Sequence, residues 1–185
     1  MSESGNGGRY ARTTNGLIAS LVVTVLAVCA FVALRALNRD DLEVKPEPVD
    51  YLEAVDAAQG AGLTVVYPPT LPSGWFADSI DFVPGDRPAW GIGMLTGDQK
   101  FAGIRQQNAS VDDLLHTYVD ENPTEGAPVD IAASIAPRWQ TWSDSGGDHA
   151  FSAQVGTDTV LVYGSAPEAE LRGLVGSLTT ANLQR

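Results

Sequence analysis

Residues 16–34, GLIASLVVTVLAVCAFVAL, carry no charged side chain and are bounded by Arg12 and Arg35. At about 1.5 Å per residue, a helix of that length is about 28 Å long. The hydrocarbon core of a bilayer is about 30 Å thick. The only hydroxyls are Ser20 and Thr24, which as helical residues can bond the carbonyl one turn back. The run is apolar on every face, which a half-buried surface helix would not be. It therefore predicts a transmembrane helix over residues 16–37, with the lipid bilayer as its partner.

Three other readings of the run compete with this one. A cleaved secretory signal has an apolar stretch of about 7–15 residues and then a small-residue cut site. Val28-Cys29-Ala30 would be a poor site, and apolar residues continue past it. A lipoprotein signal needs a small residue before its cysteine, where Val28 stands here. A buried helix of a soluble core is the third.

Orientation is open on residues alone. Arg9 and Arg12 precede the run, while Arg35, Arg39 and Lys45 come after it. Counting positive charges leans slightly towards a cytoplasmic C-terminus. The lone Cys29 lies within the run, so residues 35–185 contain no thiol. That suits an oxidising compartment and is also common in the cytosol.

The polar, glycine-rich residues 1–15 read as a disordered tail, and the charged residues 38–49, with Pro46 and Pro48, as a linker. Residues 50–185 then form one domain. They hold eighteen Asp and Glu against six Lys and Arg, so the net charge of −12 lies there. Such a surface repels phosphate backbones, and no nucleic-acid partner is expected. All four tryptophans fall here, which argues for a folded unit.

The domain's patterning alternates between periods. Asp50 with Glu53 starts a helix whose face is Leu52, Val55 and Ala58. LTVVYP reads as a short strand, and Leu71-Pro72-Ser73-Gly74 as a type I turn. Phe76, Ile80 and Phe82 alternate with polar neighbours, as do Trp90, Ile92 and Met94 with glycines. TGDQ joins the latter strand to KFAGIRQQ as a hairpin. Ser110 with Asp113 caps a helix with the stripe Val111, Leu114, Leu115, Tyr118 and Val119. RWQTWSD, HAFSAQVG and DTVLVYG come next as strands, and Ser165 with Glu168 caps a last helix facing inward through Leu171, Leu174, Val175 and Leu178. Short turns make neighbouring strands antiparallel. The class is α+β: an antiparallel sheet of about six to seven strands with about three helices on one face.

Catalytic chemistry has little to start from. His116 and His149 are the only histidines, and no cysteine lies in the domain, so no metal site is expected. Asp112-Asp113 and Asp120-Glu121 read as capping and surface acids. Ser73 lies in a turn, and no G-x-S-x-G occurs. Gly91 and Gly93 sit in a strand with no helix after it, which argues against a phosphate loop; glycine there permits a bulge or close packing under an aromatic ring. Asn108-Ala109-Ser110 matches a glycosylation acceptor, yet Ser110 already serves as a cap. No catalytic residue, metal or cofactor is predicted. The candidate surface aromatics for contact are Trp90, Trp139 and Trp142, with Trp139 and Trp142 on opposite faces of their strand.

PVDYLEA, YPPTLPSGW, WGIGMLTGDQKFAGIRQQNAS and TDTVLVYGSAPEAELRGLVGSL together resemble an uncharacterised actinobacterial membrane-protein family, domain of unknown function 4245. The resemblance runs from about Gly16 through nearly the whole chain. It implies a single-pass protein of the cytoplasmic membrane whose C-terminal domain lies outside the cytoplasm, and it brings no catalytic residues. The expected function is a membrane-anchored, non-enzymatic cell-envelope binding or interaction module, for an envelope protein or ligand not identified by sequence. The alternative is an envelope enzyme, a carboxylate-based hydrolase whose site is assembled only in the fold.

Overall fold

A computed structural model describes residues 21, 24–29, 31 and 47–183. The expected tail lies outside them, as do most of the expected span and linker. Residues 21, 24–29 and 31 are helical, and Leu21, Val25, Leu26, Val28 and Phe31 are exposed. Among the described residues no helix is long and apolar enough to cross a membrane. The chain divides into two units between Lys45 and Pro46.

The second unit is α+β. Its elements run α1 (Tyr51–Gly60), β1 (Phe76–Val83), β2 (Ala89–Leu95), β3 (Phe101–Gln107), α2 (Val111–Tyr118), β4 (Thr124–Glu125), β5 (Val129–Asp130), β6 (Arg138–Ser143), β7 (His149–Val155), β8 (Asp158–Gly164) and α3 (Glu168–Ser177). The sheet order is β1-β2-β3-β8-β7-β6-β4, with β5 also pairing β6, and every pair is antiparallel. Two meanders, β1-β2-β3 and β6-β7-β8, are joined by the β3–β8 ladder, in which Ile104 stands opposite Val162. The two-residue strands β4 and β5 lie in a Pro- and Gly-bearing stretch with no alternating pattern, so the sheet has eight strands where sequence led to six or seven.

Local signals explain most boundaries. The Asp50 carboxylate accepts from the amides of Leu52 (3.1 Å) and Glu53 (3.3 Å), capping α1. At α2 the Asp113 amide donates to the Ser110 hydroxyl (3.1 Å), which in turn donates to the Asp113 carboxylate (2.7 Å). Ser165 does not cap α3: its hydroxyl accepts from the Phe101 amide (3.1 Å), and the helix begins at Glu168 after Pro167. The turn near Trp75 also differs from expectation. The Trp75 amide bonds the Pro72 carbonyl (3.0 Å), so Gly74 is third in the turn, with φ +82°. That position suits a type II turn.

The core lies mainly between the sheet and helices α1 and α3. Val55, Trp90, Ile92, Met94, Phe151, Val160, Val162, Leu171, Leu174 and Val175 are buried there. The expectation that all helices cover one face is corrected by α2. Its Leu114 and Leu115 pack on Ala150 and Leu161, which point to the opposite face. The physical reason is β8, where Val160, Leu161 and Val162 are a continuous apolar run and not an alternating one. Such a strand needs cover on both sides.

LTVVYP is not a sheet strand. Residues 65–67 are buried, but apart from one isolated bridge between Tyr67 and Thr179 they pair with no other strand. Side chains from β2 and β3 satisfy this segment instead, and that arrangement builds the site below.

Candidate functional site

A concavity of about 510 Å³ in the second unit opens at one end of the sheet. Its volume is in the usual range for small-ligand sites, about 300–1,000 Å³. Four pieces of chain converge on it: residues 62–65, the β1–β2 connection with Asp86 and Arg87, the end of β3, and the β7–β8 turn with Thr157 and Asp158.

Gln106 organises the floor. It projects from β3 towards the helix side, and its Oε1 accepts from the Val66 amide (2.8 Å). Its Nε2 donates to the Thr64 carbonyl (2.9 Å) and to Asp158 Oδ2 (2.8 Å). Trp90 Nε1 adds a bond to the Val66 carbonyl (2.9 Å). Two side chains thus replace the ladder that residues 64–66 lack, since buried backbone groups must be partnered. Asn108 Nδ2 donates to the Thr157 carbonyl (3.1 Å) and ties β3 to the β7–β8 turn. The apolar wall is Phe82, 41% exposed, whose ring meets Trp90 edge-on with centroids 6.5 Å apart. The charges are those of Asp86, Arg87 and Asp158.

The cleft offers an aromatic wall, two carboxylates, one guanidinium and several amide and hydroxyl groups. Neither histidine lines it. His116 is exposed on α2, and His149 lines a separate recess of about 200 Å³ with Trp142 and Glu168. Among the described residues, no three His, Cys, Asp or Glu side chains gather as a metal ion would require. Asp113 is the partner of its own helix cap, and Asp120 accepts from the Asn122 amide (2.8 Å).

The three candidate surface aromatics separate. Trp90 and Trp139 are 3% and 0% exposed and belong to the core, so neither is a surface anchor. Trp139 is held by bonds from Nε1 to the Ser134 hydroxyl (3.1 Å) and the Ala136 carbonyl (3.0 Å). Trp142, three residues on, points to the opposite face, where it packs near α2 and donates to the Ser152 hydroxyl (2.8 Å). It alone of the three keeps a partly exposed ring.

A second polar cluster lies on that opposite face. Arg105 Nη1 pairs with the Asp81 carboxylate, and Nε and Nη2 donate to Gln107 Oε1 (3.2 and 3.0 Å). The guanidinium carbon is 5.2 Å from the centroid of the Tyr118 ring. At Gly91 a Cβ would stand 3.1 Å from the Ile104 carbonyl oxygen and in ordinary contact with Nη1. Tyr163 lies over Gly103, where a Cβ would be 2.7 Å from the ring. Burial, reinforced by Tyr118, pushes the Tyr163 hydroxyl up to about 12 against the opposing pull of Arg105. Sequence reading missed both Arg105 and Gln106. The available signal was three consecutive polar residues, 105–107, in a strand flanked by apolar ones.

Comparison with curated protein sequences finds no match. Among solved structures, the chain is similar to one described as "The complex structure of Pseudomonas aeruginosa MucA/MucB", at 13% identity and a TM-score of 0.38. The likeness covers 65% of this chain and 37% of that one, so this chain spans little more than a third of its length. The family model described as "Protein of unknown function (DUF4245)" matches residues 9–178, and the chain belongs to that family.

Proposed function

We propose that this protein is a membrane-anchored binding module of the cell envelope, and that the Phe82–Gln106 cleft receives its ligand without chemical change. The observation that carries the reading is how the cleft is built. Gln106, Asn108 and Asp158 are held in hydrogen bonds to the fold, which presents a preorganised floor beside an aromatic wall. Preorganised polar groups beside an apolar surface fix a ligand's orientation. The anchor is the uncharged run of residues 16–34, and the acidic domain lies outside the cytoplasm. The ligand is an envelope protein or an envelope small molecule, and no cofactor takes part.

A photocrosslinking amino acid in place of Arg87, used in living cells, tests this. The expected result is capture of an envelope component, reduced by Phe82→Ala. Absence of capture from Arg87 in cells where the protein is abundant would sink the cleft as a binding site.

A second reading has its own observation: Asp86 and Asp158 line the same cleft, as a carboxylate-based hydrolase would need. If Asp86→Asn and Asp158→Asn each abolish turnover of an envelope glycan while capture from Arg87 persists, the hydrolase reading replaces the binding module.

A further inference from the structure

We propose that the outer edge of β1, residues 79–83, is a docking strand for an extended segment of another protein in which apolar and basic side chains alternate.

β1 ends the sheet, and it is eight residues long, whereas the strand at the other end of the order, β4, has two. A long edge strand presents unpaired backbone donors and acceptors that can template another strand. Among the described residues, one backbone hydrogen bond reaches β1 from outside the sheet: the Val49 amide bonds the Ala77 carbonyl (2.8 Å). The ladder with β2 is irregular between Ala77 and Ser79, and from Ser79 to Val83 it runs in continuous register. Among the described residues, the stretch beyond the irregularity is paired on its inner side and has no strand on its outer side.

The apolar surface of the second unit is concentrated at the same edge. Its exposed large hydrophobic residues among those described are Val49, Phe82 and Val83: two on β1 and one bonded to it. Exposed apolar side chains on an edge strand, Phe82 on one face and Val83 on the other, are what a sheet protein ordinarily avoids.

Pairing register then assigns the faces. Phe82 stands opposite Trp90 and Ile80 opposite Ile92, so both lie on the α1/α3 side. Asp81 stands opposite Gly91, on the side where Arg105 lies, and Ser79 shares that face. An added strand would place apolar side chains beside Ile80 and Phe82. Its intervening side chains would fall beside Ser79 and Asp81, near Asp78. Asp81 is largely exposed and has Arg105 on one side only. Basic side chains fit that face.

Charge also selects the occupant. A second copy would bring its own acidic edge against this one, and like charges on adjoining strands are destabilising. The net charge of −12 adds to that repulsion. The favoured partner is a different chain with Lys or Arg at alternate positions.

The test uses the full chain in nonionic detergent micelles and amide hydrogen exchange read by mass spectrometry. The probe is a synthetic peptide of alternating Val and Lys, about six residues long. Two controls are the Val/Glu peptide and a Val/Lys peptide N-methylated at every residue, which keeps its charge but has no amide hydrogen left to extend a sheet. The expected result is exchange slowed about tenfold or more at residues 79–83 by the Val/Lys peptide alone. Phe82→Lys should remove the effect, with Val83→Lys as the second variant if the first fails to fold. Equal protection by the N-methylated peptide would mean attraction to an acidic surface and would overturn the proposal. So would protection, in the free chain, of the outward-facing amides of residues 79–83, or protection only elsewhere.

Discussion

Gly164 and Gly147 both have positive φ, +141° and +96°, yet their surroundings differ. A Cβ on Gly164 would run into the Phe101 carbonyl, whereas nothing lies near one on Gly147. Gly164→Ala should therefore cost about 3 kcal/mol or more, from strain and overlap together. Gly147→Ala should cost about 1 kcal/mol, from backbone conformation alone. Urea denaturation of both variants checks the difference. Asp148 supplies a pH-dependent counterpart. Burial, and then Asp144, raise its carboxyl above the ordinary 3.8, against His149 and Lys100. The folded state thus holds this proton more tightly than the unfolded chain. Stability is lost as pH rises from about the ordinary value through the raised one, and the penalty is absent below it. Asp148→Asn should melt at a higher temperature than wild type above that window, with the gap closing on acidification. Thermal melts across pH measure this. The glycines in strands were legible as close-packing positions, because a missing Cβ has few other uses in a ladder. The raised carboxyl was not legible, because burial is a property of the fold and not of consecutive residues.

At the scale of elements, helix starts and hairpins were written locally. Asp50 and Ser110 cap helices because their oxygens reach amides two or three residues on. The apolar stripes of α2 and α3 likewise need only the helical period to be seen. Residues 64–66 show where local reading ends. Their pattern favours a strand, but Gln106, forty residues on from Val66, takes the place of a neighbouring strand. Gln106→Leu would leave the Val66 amide, the Thr64 carbonyl and Asp158 without that partner. It should cost about 2–4 kcal/mol and free residues 62–66 to exchange amide hydrogens, since unsatisfied buried groups carry a full desolvation penalty. Loss of exchange protection confined to that segment, with the sheet intact, is the expected pattern. Ser165 is the converse case: a capping motif whose hydroxyl is drawn instead to β3.

At the scale of the whole molecule, the acidic second unit and the uncharged run of residues 16–34 pose the question of sides. With the domain outside the cytoplasm, a reporter active only after export, fused after Arg185, should be active. A fluorescent reporter that folds only in the cytoplasm should be dark at the same position. The reverse pair would place the domain inside. The class of the fold, the α3 face and the antiparallel pairing across short turns came from the sequence, because periods of two or 3.6 and turn residues are properties of consecutive positions. The net charge of −12 is likewise a sum over the chain and needs no coordinates. Tertiary structure decided the rest. It chose the β3–β8 ladder, set α2 on the second face and put Trp90 and Trp139 in the core. It also brought residues 62–65, 86–87, 106 and 157–158 to one cleft and left β1 at the edge. Those outcomes depend on which distant groups meet, and buried polar atoms and apolar faces are satisfied by whatever the fold sets against them.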